Sequence, residues 1–317
     1  MSSARANKSL LVAAAKNGRA IACDLDATKF ILAYPRGAYT AARTVEQTKI
    51  FDYEAHIQRL VDSTLAMQTD DARSLVPKAV EDALRPRTEA TLRAAMSEFK
   101  QQFGSHPEEE YKITVLVCHS EDAQSVEAQD KEEPLALTDI YCHIGLLPPL
   151  RSGLVKLLVA GLPRQNAAAK DSGWVRERKA IYDAMPKDVE EIILMEPSSH
   201  RMLEGSQTNF YAIRDGKIFT AEDGILKGTV RSLVLEVCAE NDIPVVFTPP
   251  SLDDIDHWEG CFISSTSRLV LGAYSIDYDH PITKQKTAKT FPASPMLEKI
   301  ISCVRSSVVR KSTTVFV

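Results

Sequence analysis

The chain predicts an α/β protein of the α+β kind with two domains, and three observations carry that prediction. Stretches with strand-type alternation or β-branched runs are interleaved with stretches of helical periodicity. The segment PPLRSG, residues 148–153, breaks the composition with two prolines, a serine and a glycine. A length of 317 residues is enough for two compact domains, each with its own core. The expected organisation is a flexible N-terminus at 1–20, a smaller α/β domain at 21–147, a linker at 148–153 and a larger domain at 154–317.

The elements follow in order. FILAYPRGAYTAARTV, residues 30–45, reads as strand on both sides of a Pro-Arg-Gly turn. KIFDYEAHIQRLVDSTLAM then switches to helical spacing, with His56, Leu60, Ser63 and Met67 on one face and Ile57 and Val61 beside them. TEATLRAAMSEFKQQF offers a threonine cap at Thr88 and an apolar stripe at Leu92, Met96 and Phe99, hence a second helix. YKITVLVCHS and TDIYCHIGLL read as strands, separated by an acidic loop, SEDAQSVEAQDKEEP. Beyond the linker, VKLLVAGL is a strand and GWVRERKAIYDAMP is helical up to its proline. The strand EEIILME leads to a hairpin, NFYAIRDGKIFTA, turning at Asp215-Gly216. Next come a helix from Thr229, a strand VVFT, a short acidic helix at SLDDIDHW and a strand CFISS.

Composition narrows the function classes. The chain is 44% hydrophobic and 26% charged with a net charge of −5, which gives no electrostatic footprint for nucleic acid or an anionic membrane. No apolar run reaches the roughly 20 residues of a spanning helix. The six cysteines are scattered without a CxxC pair, so neither a metal site nor a disulfide framework is expected, and a reducing compartment is. A cytoplasmic location is expected. The alternative is an organelle, because the first 20 residues carry Arg5, Lys8, Lys16 and Arg19 without an acid, as a transit segment does.

Chemistry concentrates in MLEGSQTNFYAIRDGKIFTAEDGILKGTVRS, residues 202–232. Glu204 stands at the entrance of the hairpin, and Gly228 opens a helix. A helix N-terminus presents backbone N–H groups and the positive end of the dipole, which suits a phosphate. Taken singly, a glycine before a helix is usually a turn, and a glutamate beside a hairpin is usually solvated.

In combination the residues resemble the class IV aminotransferases, the pyridoxal-phosphate enzymes of fold type IV, which include branched-chain and D-amino-acid aminotransferases and aminodeoxychorismate lyase. The resemblance rests on EGSQTNFY at 204–211, IFT at 218–220, ILKGTVR at 225–231 and FISSTS at 262–267, with GAYT at 37–40 and HIQRL at 56–60 in the first half. GAYTAART together with AAKDSGWVRERK is most similar to a plant-type aminotransferase-like branch. The resemblance implies pyridoxal 5′-phosphate as cofactor, an amino acid and a 2-oxo acid as substrates, and a homodimer. It implies Glu204 on the pyridine nitrogen, a phosphate site of Arg59, Thr229, Val230, Ser265 and Thr266, and Leu226 among the cofactor-binding residues. Tyr39 and His119 fall at positions near the substrate.

Two lysines compete for the covalent attachment. The family's lysine stands a little over thirty residues ahead of its pyridine-binding glutamate; Lys170 precedes Glu204 by 34 and Lys179 by 25. Lys179 also sits in a charged helical run, so Lys170 is the expected catalytic residue, in the larger domain. Departures bear on substrate. Val175 replaces the tyrosine of branched-chain enzymes, and no Arg-and-His carboxylate trap of the D-amino-acid kind follows YKITVLVCHS. A transaminase of branched-chain or D-amino-acid type is the leading expectation. A lyase on the same scaffold and a cofactor-binding protein without turnover are the alternatives.

Overall fold

The computed structural model describes residues 11–67, 76–104, 106, 108–120, 135, 138–280 and 283–316. Most of the expected acidic loop, 121–134, and residues 1–10 of the expected flexible terminus lie outside the described residues. The first elements are β1 (Val12–Lys16), β2 (Arg19–Ile21), α1 (Ala27–Leu32), β3 (Gly37–Val45), β4 (Lys49–Phe51), α2 (Tyr53–Ala66), α3 (Pro77–Phe103), β5 (Tyr111–His119) and β6 (Thr138–Leu146). After them come β7 (Val155–Val159), α4 (Gly173–Glu177), α5 (Lys179–Asp183), β8 (Val189–Glu196), β9 (Arg201–Gly205), β10 (Asn209–Arg214), β11 (Lys217–Phe219) and α6 (Thr229–Glu240). The chain closes with β12 (Val245–Val246), a short 3-10 turn (Leu252–His257), β13 (Gly260–Ser265), β14 (Leu269–Asp279), β15 (Lys286–Thr290), α7 (Pro295–Arg310) and β16 (Ser312–Thr314).

Two compact units result. The first holds the described residues up to 149 together with 169–176 and 311–316, and the second holds 150–168 and 177–310. The break after Pro149 falls inside the segment 148–153. The lysine segment, expected with the second half, groups with the first. The reason is backbone pairing with the start of β3: Ala38 bridges Asp171, the Tyr39 N–H donates to the Lys170 carbonyl, and the Ser172 N–H donates to the Gly37 carbonyl. The C-terminal β16, also expected with the second half, pairs with β4.

The first unit is a seven-stranded antiparallel sheet in the order β16-β4-β3-β5-β6-β1-β2. Successive side chains of a strand face opposite ways, so the sheet has two distinct faces. Ala13, Ala15, Ala42, Ile113, Val115, Val117, Ile140 and Cys142 pack against α2 and α3, with Ile57, Leu60, Leu92, Met96 and Phe99 fully buried. The opposite face carries Ala14, Tyr39, Leu116, Cys118 and Tyr141, packed with Phe30 and Ile31 of α1 and with Val175.

Three expectations are corrected in this unit. Residues 12–16, placed in a flexible terminus, form β1, because its VAAA run is buried between β2 and β6. Phe30–Leu32, read as strand, end helix α1, whose cap Asp26 accepts from the Thr28 and Lys29 N–H groups. Thr88 is a buried interior residue of α3 and caps nothing. That helix begins at Pro77, where the missing N–H of proline costs no bond.

The second unit is a nine-stranded mixed sheet, β12-β11-β10-β13-β14-β7-β8-β9 with β15 on β14. The β10–β11 hairpin turns at Asp215-Gly216 as expected, both with positive φ, 50° and 67°. GWVRERKAIYDAMP forms two short helices, α4 and α5, where a single one was expected. α6 lies against β13 and α7 against β14. Among the described residues no helix is long and apolar enough to cross a membrane.

Candidate active site

Lys170 belongs to the first unit, where its environment is built by β3 and α2. Its main-chain N–H donates to Ser63 Oγ at 3.0 Å. Its ammonium lies 4.9 Å from the centre of the Tyr39 ring, a cation–π distance. The next residue, Asp171, is buried and takes a two-pronged contact from Arg36, with Nε at 2.9 Å and Nη2 on the same oxygen. Asp171 also accepts from the Gly173 N–H at 2.7 Å. Ser172 Oγ accepts from the Gly37 N–H at 2.9 Å. The lysine is therefore carried on a short stretch pinned to β3 at both main chain and side chain.

Arg59 lies on α2, half-buried, one turn from His56. His56 is buried, with Nδ1 2.8 Å from Thr40 Oγ1. Burial, and then the charges of Arg59 and Lys170, push its pKa down to about 3, so the ring is neutral beside two cations. His119 stands apart from this group. It is exposed at the end of β5, and its alternation is that of Val117, the face opposite Tyr39. Lys179 is 64% exposed and pairs with Asp183 along α5, a solvated helix face.

Glu204 belongs to the second unit, at the end of β9. Its carboxylate is 5% exposed; Oε1 accepts from Arg164 Nε at 2.8 Å and Oε2 from the Leu226 N–H at 3.0 Å. Both contacts are made to the charged form. Asn209, paired with Glu204 across β9 and β10, holds the segment leading to α6. Its Nδ2 donates to the Leu226 carbonyl at 2.7 Å, and its Oδ1 accepts from the Gly228 N–H at 3.2 Å. A Cβ at Gly228 would stand 2.5 Å from that Oδ1, so the approach needs glycine. Gly228 caps α6 without a side-chain bond, so the positive end of the helix dipole falls on the first turn, at Thr229 and Val230. The Thr229 and Thr266 hydroxyls are 3.4 Å apart, which brings the turn at Gly228 beside the one at Ser265 and Thr266.

Lys170 thus stands against Tyr39 in the first unit, and in the second Glu204 meets the Leu226 N–H while Thr229 meets Thr266. The donor set suits the implied cofactor. A charged, buried carboxylate matches a protonated ring nitrogen. A glycine-opened helix start with two hydroxyls matches a phosphate.

The amino-transferase class IV family model matches residues 37–276, well over half of the chain. The chain belongs to the class IV aminotransferase family. Among curated relatives of this aminotransferase, the branched-chain-amino-acid aminotransferase of Pseudomonas aeruginosa is 25% identical over 272 residues, covering 80% of this chain and 81% of the relative. A putative branched-chain-amino-acid aminotransferase of Methanocaldococcus jannaschii is 27% identical over 146 residues, 44% of this chain and 50% of the relative. Among solved structures, the Thermoproteus uzoniensis branched-chain aminotransferase with norvaline has a TM-score of 0.67 at 18% identity, covering 96% of this chain and 99% of that one. A Brucella abortus aminotransferase bound to the cofactor PLP has a TM-score of 0.65 at 15% identity, covering 94% and 99%. These likenesses confirm the fold expected of the family.

Sequence reasoning missed four participants. Arg164, 40 residues before its partner Glu204, carries no local pattern that marks it. Arg36 and Asp171 are 135 residues apart, and neither residue type at its position signals the other. Ser63 was read only as part of a helical face.

Proposed function

We infer that this class IV aminotransferase is a pyridoxal-phosphate-dependent transaminase that moves an amino group between an amino acid and a 2-oxo acid. The observation that carries the reading is the Glu204 carboxylate, buried, charged and held by Arg164 and the Leu226 N–H beside a helix start that only glycine permits. When bound, the cofactor supplies an electron sink for the carbanion left after Cα loses its proton. The chain supplies the rest. Lys170 offers the amine that anchors the cofactor and afterwards carries the proton away from and back to the reacting carbons. Glu204 keeps a proton on the ring nitrogen. Arg59, the N–H groups of Thr229 and Val230, and the Ser265 and Thr266 turn hold the phosphate, while Leu226 covers the ring. Neutral His56 adds no third positive charge beside Lys170 and Arg59.

The substrate side chain is apolar in this reading. Tyr39, Leu116 and Tyr141 face the same way in adjacent strands, in direct cross-strand register, and the row starts under the Lys170 ammonium. The branched-chain assignments of the two curated relatives favour the same class. The working form is a homodimer, as the family implies. The test is to mix the pyridoxal-phosphate-loaded enzyme with L- and D-amino acids one at a time. Conversion of the bound cofactor to its amine form by leucine, isoleucine or valine, reversed by their 2-oxo acids, supports the reading. Pyruvate release without an acceptor would assign a lyase instead, and no spectral change would assign a binding protein.

A further inference from the structure

We propose that Glu191 and Arg268 form a buried positioning pair that sets the Ser265–Thr266 turn for phosphate and ties it to the turn that follows Glu204. The role rests on the cofactor reading above. Glu191 lies in β8, an interior strand of the second unit, and is 0% exposed. One carboxylate oxygen, Oε1, accepts from Ser206 Oγ at 2.6 Å, the Ile192 N–H at 3.0 Å and the Tyr182 hydroxyl at 3.3 Å. The other, Oε2, accepts no hydrogen bond among the described residues and faces Arg268 Nη1 at 3.8 Å.

Two of these contacts, Ser206 and Arg268, lead to turns of the candidate site. Ser206 is two residues beyond Glu204, and the chain passes over Glu191 at a distance only glycine allows. A Cβ on Gly205 would stand 2.0 Å from Thr208 Oγ1 and 3.0 Å from Glu191 Cγ. Arg268 closes the turn between β13 and β14. Its N–H donates to Ser265 Oγ at 3.3 Å, and its Nε donates to Glu190 Oε1 at 2.8 Å. The residue after it, Leu269, is buried with φ 53°, a left-handed conformation that a leucine adopts against its preference. The Arg268 ion pairs hold the turn in that shape. Burial alone would lower the Arg268 pKa, but the Glu191 charge and the Glu190 hydrogen bond outweigh it, and the guanidinium stays charged.

A buried carboxylate with one oxygen unbonded is costly to keep, and an apolar residue of similar volume packs such a place at least as well. The charge at Glu191 therefore has a use beyond packing: it fixes Arg268, and Arg268 fixes the turn. The pair acts on phosphate recognition, so its removal discriminates between ligands with and without that group.

The experiment titrates the full-length chain, stripped of cofactor, with pyridoxal 5′-phosphate and with pyridoxal, following tryptophan fluorescence. Wild type is compared with Arg268→Gln, Arg268→Lys and Glu191→Gln. Arg268→Gln is expected to weaken pyridoxal phosphate about tenfold or more, the scale of one misplaced charge-assisted hydrogen bond, while pyridoxal changes less than about twofold. Lysine at 268 restores part of that loss, and Glu191→Gln shows the same phosphate-selective loss. Equal weakening of both ligands in every variant, or no weakening, overturns the role. If Arg268→Gln does not fold, the milder lysine variant decides on the same ratio. A wild type that binds neither ligand overturns the cofactor reading itself, a result distinct from an unselective variant.

Discussion

Arg164 Nε donates to Glu204 Oε1 at 2.8 Å, and the two side chains are only 8% and 5% exposed. A buried ion pair contributes little net stability against an apolar replacement, but removing one partner strands the other charge in a medium that solvates it poorly. Arg164→Met is therefore expected to destabilise the cofactor-free chain by about 3–5 kcal/mol in urea titration. Arg164→Met with Glu204→Gln recovers most of that loss, because no lone charge remains. An additive double variant would mean that the two side chains do not work as a pair.

Gly228→Ala tests the close approach at the start of α6. The φ at Gly228 is −66°, which alanine adopts freely, so any effect comes from the 2.5 Å contact with Asn209 Oδ1. The overlap pushes Asn209 off the Leu226 carbonyl. Expected are a stability loss of about 1–3 kcal/mol and a cofactor affinity loss of roughly tenfold. Asn209→Ala should relieve the overlap in the double variant and recover stability without recovering affinity. Thermal melts and equilibrium titration read the two effects separately.

The pinning of the lysine segment has a local signature. Arg36→Ala removes the fork on Asp171 but leaves the Gly173 N–H as a partner. Because Arg36 is 63% exposed, the global cost is about 1 kcal/mol or less. Local opening is the larger effect. Hydrogen exchange at the Lys170 and Ser172 amides, now bonded to Ser63 Oγ and the Gly37 carbonyl, is expected to speed up selectively. Unchanged exchange there would show that the backbone pairing suffices alone.

Acid should weaken the fold through its buried histidines. His56 has its pKa lowered to about 3 by burial and then by Arg59 and Lys170; burial also lowers that of His143. A folded-state pKa below the unfolded one means that the unfolded chain binds the proton first. The His56 contribution is complete above the unfolded pKa of about 6.5 and is lost as pH falls from there toward 3, at about 1 kcal/mol per pH unit. His56→Asn is expected to flatten the stability–pH slope between about pH 6 and 4 by that amount, measured by urea titration. An unaltered slope would show that His56 is charged in the folded state.

How far the sequence could be read depended on the range of each interaction. Glu204 and Gly228 were legible because strand alternation, a tight turn and a helix start lie within about thirty residues of one another. Arg164 was not, because its meaning comes from a carboxylate 40 positions away. The lysine segment was assigned to the second half by order along the chain, whereas two backbone hydrogen bonds to Gly37 and Tyr39 set its unit. α1 was missed for a local reason: its cap, Asp26, stood outside the apolar run taken as a strand. His119 looked like a substrate contact by position, but strand parity turns it away from Tyr39.

The most direct measurement is reductive trapping of the cofactor-loaded enzyme with borohydride, followed by peptide mass mapping. The account predicts the added phosphopyridoxyl mass on the peptide containing Lys170, absent in Lys170→Ala and retained in Lys179→Ala. The label on Lys179, or on no lysine at all, would contradict it.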